Sequence, residues 1–163
     1  MPTIDTYRTV LSIDPASRNL GYAVFRSEGE WKLEEAELIK QRGDDWVDNV
    51  DAMVRAIGRV AKKWYVSECV IEQPELFLSS GRGKGASNSG SILKLMGCVF
   101  AIRQAMLSAG VRVTLVPVHV WKGTVPKVIT LRRMRRRWGW DGDDLNISDS
   151  IGVGDWYIRR GRG

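Results

Sequence analysis

The sequence predicts an α/β layered domain, and three observations lead to this class. Short apolar runs that alternate with small or polar residues fill the first forty positions, as in an antiparallel meander. Two further apolar runs follow, and each comes after a stretch with helical periodicity. The last third of the chain contains helical patterns only. Strands that alternate with helices after a meander indicate helices packed on a mixed sheet.

The meander is predicted from three runs joined by short turns. Residues 9–13 and 20–25 alternate apolar and small side chains, with Asp14 at the end of the first run and a turn around Pro15. The turn "SEGE" leads into a third alternating run over residues 31–39. An acid at the end of a buried strand is costly unless a cation compensates it, so Asp14 requires a partner.

The first crossover and the strand after it follow from capping and breaking residues. Asp44 or Asp45 can cap a helix whose apolar residues, from Trp46 to Ile57, recur at helical spacing. "ECVIEQP" predicts a short buried strand over residues 69–72, which Pro74 stops.

The second half of the chain predicts one more strand among helices. A glycine- and serine-rich loop, "SSGRGKGASNSG", precedes a helix over residues 91–109, which ends at Gly110. "VRVTLVP" then predicts the fifth strand. Pro126 suits the first turn of a helix that runs to Trp138, and "ISDSIGVGDWYIRRG" predicts the last helix despite its two glycines.

Size and composition favour one folded domain over residues 1–163, because 44% hydrophobic and 27% charged residues are globular values. No basic-then-apolar leader and no apolar run long enough to span a membrane is found, which predicts a cytoplasmic protein. Cys69 and Cys98 lie in apolar surroundings without metal-ligand spacing, as expected of core thiols in a reducing compartment.

The charge is strongly segregated along the chain. Between Leu76 and Trp140 there are twelve Lys and Arg and no Asp or Glu, whereas nine of the nineteen acids lie between Glu28 and Asp51. A solubilising surface would intersperse both signs. One face should therefore carry a positive potential suited to a polyanion, and nucleic acid is the favoured partner.

Three acids stand where a strand or helix should be apolar: Asp14, Glu72 and Asp149. If the first crossover makes the first and fourth strands neighbours, Asp14 and Glu72 lie at the same end of the sheet. Converging carboxylates repel one another, and divalent metal with oxygen ligands, Mg²⁺ or Mn²⁺, is the natural compensation. Two such ions about 3.5–4 Å apart would clamp a phosphodiester for attack by water.

Five motifs in order resemble RuvC-type Holliday junction resolvases, in particular their phage-encoded relatives. They are "LSIDPASRNLGYAVF", "VIEQPELF", "ASNSGSILKLMG", "VPVHVWKGTVPK" and "NISDSIGVGDWY". The resemblance implies a ribonuclease H-like fold, with a mixed five-stranded sheet of three antiparallel then two parallel strands and helices on both faces. It also implies a homodimer that nicks two opposed strands of a four-way DNA junction. Asp14, Glu72 and Asp149 match the family's catalytic acids.

The sequence departs from the family at the fourth metal ligand. The family places an Asp or His three residues before the last aspartate, and here that residue is Asn146. An amide oxygen can bind Mg²⁺ without adding charge. Alternatively Asp144 or Asp143 completes the site, and the sequence leaves this choice open.

Candidate DNA-binding residues surround the acids in the sequence. Lys122 and Lys127 match family lysines that neutralise phosphate near the scissile bond, where a cation stabilises the transition state. The loop before the long helix carries Arg82 and Lys84, and Phe77 stands near the family's base-wedging aromatic. The run "LRRMRRRW" predicts a helix with Leu131, Met134 and Trp138 buried and with phosphate-binding arginines at Arg132, Arg133, Arg135 and Arg136.

Other functions were weighed against junction resolution. The glycine-rich loop satisfies neither GxxxxGK[ST] nor GxGxxG, so no nucleotide cofactor is expected. A nuclease for another branched or RNA–DNA structure and a non-catalytic DNA-binding module are the alternatives, the latter motivated by Asn146. A two-fold symmetric substrate calls for a dimer, for which the predicted seam is Ile92, Leu95, Met96, Val99 and Ile102 on the long helix.

Overall fold

The structure, a computed structural model, describes residues 7–74 and 85–160. The strands and helices in chain order are β1 (Arg8–Asp14), β2 (Asn19–Ser27), β3 (Trp31–Lys40), α1 (Trp46–Lys63), β4 (Glu68–Gln73), α2 (Gly85–Ser108), β5 (Arg112–Pro117), α3 (Val118–Trp121), α4 (Lys127–Trp138) and α5 (Leu145–Arg160). The predicted element order is therefore confirmed, with the four-residue α3 as an addition.

The sheet has the predicted mixed topology. Its strand order is β3-β2-β1-β4-β5, with β1, β2 and β3 antiparallel and both β1–β4 and β4–β5 parallel. β1 and β4 are neighbours because α1 carries the chain across one face of the sheet before β4 begins. This ribonuclease H-like arrangement confirms the predicted fold class.

Helices cover both faces of the sheet because successive residues of each strand point to opposite sides. Leu11 and Ile13 of β1 belong to a core packed against α1 and α2, which also buries both free cysteines. Val10 of β1 belongs to a second core, formed with residues of α4 and α5 that include Met134 and Ile151. Even-numbered residues of β1 therefore face α5.

Local signals set most helix ends within a few residues of the prediction, but α2 begins at Gly85, six residues before its predicted start and within the predicted loop. Asp45, not Asp44, caps α1 through its side chain, which accepts the backbone N–H groups of Val47 and Asp48. Pro126 caps α4 from just outside the helix, and Gly139 ends it in the left-handed conformation. The predicted buried stripe of α4 was partly wrong: Thr130 and Met134 are buried, whereas Leu131 and Trp138 are only partly covered.

The predicted dimer seam on α2 is wrong for two of its five residues. Val99 and Ile102 are fully buried in the core that α2 shares with α1 and the sheet. The other three, Ile92, Leu95 and Met96, are partly buried. The exposed apolar side chains of α2 are instead Leu93, Phe100 and Leu107.

One segment of α2, Gly90–Ser108, is long and apolar enough to cross a membrane by length and composition alone. Its packing accounts for part of that apolar character, because Cys98, Val99, Ile102 and Met106 are buried against neighbouring elements.

Small residues let α5 lie close to the sheet. A Cβ at Gly154 would lie 2.7 Å from Ser12 Oγ, and a Cβ at Gly21 would lie 2.6 Å from the carbonyl carbon of Asn146. The Ser12 hydroxyl donates a hydrogen bond of 2.7 Å to the Ser150 carbonyl. These contacts fix the first three turns of α5 against β1 and β2.

Candidate active site

Two of the three predicted carboxylates lie at one end of the sheet. Asp14 is the last residue of β1, and Glu72 is the penultimate residue of β4. Ile13 pairs with Ile71 in parallel strands, so the next residues, Asp14 and Glu72, lie side by side at the same level along the strand direction. Strand alternation directs both side chains to the α5 face, the face of Val10 and Val70.

The third carboxylate comes from α5. Asp149 lies in the second turn of that helix, where only 3% of the residue is exposed. The neighbouring Ser150 carbonyl accepts the Ser12 hydroxyl, which ties this turn to β1 two residues before Asp14. The predicted convergence of β1, β4 and the last helix is thus present in the fold.

Two lysines compensate the acids in this structure. Lys122 Nζ lies 2.8 and 3.0 Å from the two Asp149 carboxylate oxygens, and its side chain is only 9% exposed. Lys127 Nζ lies 3.2 Å from Asp149 Oδ2, and its side chain is half exposed. The burial of Lys122 against Asp149 distinguishes it from an ordinary solvated lysine.

The electrostatics of the cluster show incomplete compensation. Burial, followed by the nearby Glu72 and Asp149 carboxylates, raises the pKa of Asp14 well above its ordinary value, against the opposing effect of the two lysines. Burial and Asp149 also raise the pKa of Glu72, although the Trp121 indole donates to it at 2.9 Å. Burial tends to lower the pKa of Lys127, but the surrounding carboxylates raise it overall. Two lysines do not balance the charge of three carboxylates, so further positive charge would stabilise the cluster.

The donor chemistry of this cluster fits a hard divalent cation. Its acidic groups are all carboxylates, the ligands that Mg²⁺ and Mn²⁺ prefer. Within residues 7–74 and 85–160, however, no three Asp, Glu, His or Cys side chains are already arranged to hold a metal ion. An ion that used the Asp149 carboxylate would have to displace at least one of its two lysine contacts.

The residues considered for the fourth ligand position lie at the start of α5. Asn146 is in its first turn, and its backbone carbonyl packs against Gly21, the strand partner of Asp14. Asp144 caps the helix, since its Oδ1 accepts the backbone N–H groups of Asn146 and Ile147 at 2.8 and 3.0 Å. Asp144 therefore has a structural role whether or not it also binds metal.

The predicted DNA-binding residues fall into three groups. Lys122 and Lys127 contact the acidic cluster. All the arginines of α4 are exposed, but Arg133 and Arg136 line a pocket against α5, whereas Arg132 and Arg135 lie outside its lining. Phe77, Arg82 and Lys84 lie outside the described residues.

Sequence reasoning missed the part played by tryptophans. The Trp121 Nε1 donates to the Glu72 carboxylate, a contact that the sequence did not predict. Trp138, predicted as a buried residue, packs edge-on against Phe25 at 4.9 Å and donates to Asp155. The position of Trp121 directly before Lys122 was the one available signal.

A mixed sheet of this order, with carboxylates ending β1 and near the end of β4 and a third on the final helix, defines a protein of the ribonuclease H-like fold class. Within that class the fold is that of RuvC. Thermus thermophilus RuvC in complex with a Holliday junction substrate matches with a TM-score of 0.74 at 19% identity, over 94% of this chain and 96% of that one. The yeast mitochondrial Holliday junction resolvase matches with a TM-score of 0.62 at 11% identity, over 92% and 77%.

Sequence comparison points to the same family. A crossover junction endodeoxyribonuclease RuvC from Sulfurovum sp. (strain NBC37-1) is 33% identical over 87 residues, which are 53% of this chain and 49% of that protein. The match thus spans about half the length of this curated relative. No protein-family model matches the chain. The likeness in sequence and fold confirms the resemblance to RuvC-type resolvases, for which divalent-metal dependence is general.

Proposed function

We propose that this protein is a metal-dependent endonuclease that resolves four-way DNA junctions by paired symmetric nicks. The observation that carries the proposal is the convergence of Asp14, Glu72 and Asp149 on a RuvC fold, beside two lysines and an arginine-rich helix. Burial and neighbouring carboxylates raise the pKa values of Asp14 and Glu72, and acids perturbed in this way cluster at functional sites. We place the enzyme in the cytoplasm.

Asp14, Glu72 and Asp149 would hold Mg²⁺ or Mn²⁺, two ions in the active complex, with Asn146 or Asp144 as a further oxygen ligand. The chemistry supplied by such ions is the activation of water and the neutralisation of phosphate charge. The side chains of the protein position the DNA strand. Lys127 is half exposed at the edge of the cluster and stays protonated, so its ammonium can donate to a phosphate oxygen as charge develops.

Lys122 has a different role in this proposal, because it is buried against Asp149. It orients that carboxylate and offsets its charge before metal and DNA arrive. Loss of Lys122 leaves the buried Asp149 carboxylate with only the half-exposed Lys127 of its two lysine partners, which is unfavourable.

Two-fold pairing of subunits would place two such centres on one junction. The exposed side chains of Leu93, Phe100 and Leu107 recur every seven residues and so form one apolar stripe along α2. We propose this stripe as the subunit interface in place of the seam expected from the sequence. A stripe of this kind is self-complementary about a two-fold axis.

The test is cleavage of a labelled four-way junction in Mg²⁺, Mn²⁺ or chelator, with nicks mapped on all four strands. We expect Asp14→Asn, Glu72→Gln and Asp149→Asn to abolish cleavage while junction binding persists. Asp51→Asn is the matched control, because Asp51 is an exposed acid on α1. Undiminished cutting by any of the three variants would remove that residue from the site.

Binding without cleavage is the second candidate function, and one observation favours it. Asn146 replaces the acid expected one turn before Asp149, and lysines occupy both oxygens of Asp149. A wild-type protein that binds junctions tightly and cuts none in either metal would establish this alternative. Preferred cutting of flaps or RNA–DNA hybrids would instead assign another substrate to the same site.

A further inference from the structure

A pocket next to the acidic cluster has no role in the proposed cleavage chemistry. It lies where α4 and α5 meet the end of α3, and its volume is about 390 Å³. Gly152 of α5 makes room for one wall, since a Cβ there would lie 2.6 Å from Cζ3 of Trp121. The volume falls within the range of small-molecule sites and exceeds the need of a lone inorganic anion.

The lining of this pocket is strongly cationic. Five of the lining residues are basic and one is acidic. The basic residues are Lys122, Arg133, Arg136, Arg137 and Arg159, and the acid is Asp155. That acid is only 1% exposed, and its carboxylate is already bound by Arg137 at 2.6 Å, Arg159 at 2.5 Å and the Trp138 indole at 3.2 Å.

Arg133 and Arg136 therefore contribute charge that Asp155 does not neutralise. Across the described part of the chain, no acid lies within ion-pair distance of either residue. Guanidinium groups arranged around a concavity are suited to bidentate recognition of phosphate. The ligand that this charge fits is an anion.

The pocket also has aromatic and apolar walls. Trp121 and Trp156 line it together with Met134 and Val125. Aromatic side chains of this kind can stack on a nucleic-acid base, whichever base it is. A nucleotide combines such a base with a phosphate, so it matches both the charge and the aromatic walls of the pocket.

The pocket and the acidic cluster share two residues. Trp121 donates to Glu72 while its ring lines the pocket, and Lys122 pairs with Asp149 while also lining it. A nucleotide in the pocket is therefore close along the strand to a phosphate held at the acids.

We infer that this pocket binds one unpaired nucleotide of the DNA strand, adjacent to the phosphate that is cut. The inference takes DNA as the ligand and so rests on the proposed function. A base inside a duplex is unavailable to a concave site between two helices, whereas bases at a branch point are the least costly to unstack. The pocket would then favour branched over continuous duplex DNA.

The test uses the whole protein in chelator, so that binding is measured without cleavage. Thymidine monophosphate, inorganic phosphate and thymidine are titrated while tryptophan fluorescence and the indole N–H resonances are followed. We expect thymidine monophosphate to bind more tightly than inorganic phosphate or thymidine alone. Arg133→Gln and Trp156→Leu should each weaken it by about tenfold or more.

Arg132→Gln is the matched control, because Arg132 is an exposed arginine of the same helix that does not line the pocket. Equal weakening by Arg132→Gln and Arg133→Gln, equal affinity for phosphate and the nucleotide, or no binding at all would each overturn the inference. Cleavage of a junction in Mg²⁺ is measured separately. Cleavage without nucleotide binding refutes the pocket alone, and nucleotide binding without cleavage refutes the nuclease alone.

Discussion

Replacing Gly21 by alanine tests whether the acidic centre depends on the close approach of α5 to β2. Gly21 pairs with Asp14 across the β1–β2 ladder and faces the backbone of Asn146. The new Cβ would lie 2.6 Å from the Asn146 carbonyl carbon, whereas ordinary van der Waals contact begins at 3.4 Å. Because the obstacle is backbone, the start of α5 must move by nearly 1 Å.

Two effects of different size follow from this displacement. Overpacking of this kind costs about 1–3 kcal/mol of the free energy of unfolding. A shift of about 1 Å in a catalytic constellation costs on the order of 10²-fold in rate, since Asp149 moves with its helix relative to Asp14. We expect Gly21→Ala to remain folded at 25 °C but to lose most junction cleavage.

Chemical denaturation and single-turnover cleavage in Mg²⁺ measure the two effects. Gly58→Ala is the control, because a Cβ at this position of α1 meets no atom within 4 Å. That change should stabilise the protein by about 0.5–1 kcal/mol and leave cleavage unaltered. If Gly21→Ala matches the wild type in both stability and rate, α5 does not set the geometry of the acids.

Three further predictions concern the charges of the cluster. Burial and like charge raise the pKa of Asp14 in the folded protein. The contribution of Asp14 to the free energy of unfolding is therefore largest below the ordinary carboxyl pKa, where Asp14 is protonated, and it falls as the pH rises through the raised value. In chelator, Asp14→Asn should therefore have a larger free energy of unfolding than the wild type at neutral pH, with the difference shrinking toward acid pH in denaturation curves. Lys122→Met removes the cation that offsets the Asp149 charge until metal arrives, so Mn²⁺ should bind more tightly in titration calorimetry; unchanged or weaker binding would show that Lys122 does not compete with the ion for this carboxylate. Asn146→Asp adds a charged ligand and should raise Mn²⁺ affinity with cleavage retained, and a large loss of cleavage would mean that Asp144 or Asp143 already fills that position.

The fold could be predicted because its signals are local. Alternation in β1 to β3, short turns and capping residues such as Asp45 each act over a few positions. The end-of-strand positions of Asp14 and Glu72 followed from the same reasoning, once β1 and β4 were taken as neighbours.

The parts that escaped prediction depend on how distant elements approach one another. The helix α2 carries apolar residues on more than one side, so periodicity did not separate Phe100, which is exposed, from Val99 and Ile102, which are buried. The glycines of α5 were read as weakening a helix, whereas Gly152 and Gly154 instead permit contact with Trp121 and Ser12. Gly152 and Trp121 both line the pocket beside the acids.

Because α5 follows all the other elements in the chain, its position affects when the acidic centre can form during synthesis. Asp14 lies in the first strand, but Asp149 and the Ser12–Ser150 contact need the last helix. A polypeptide that ends before α5 lacks one of the three acids and the contact that ties its helix to β1. The acidic centre can therefore form only after α5 has been synthesised.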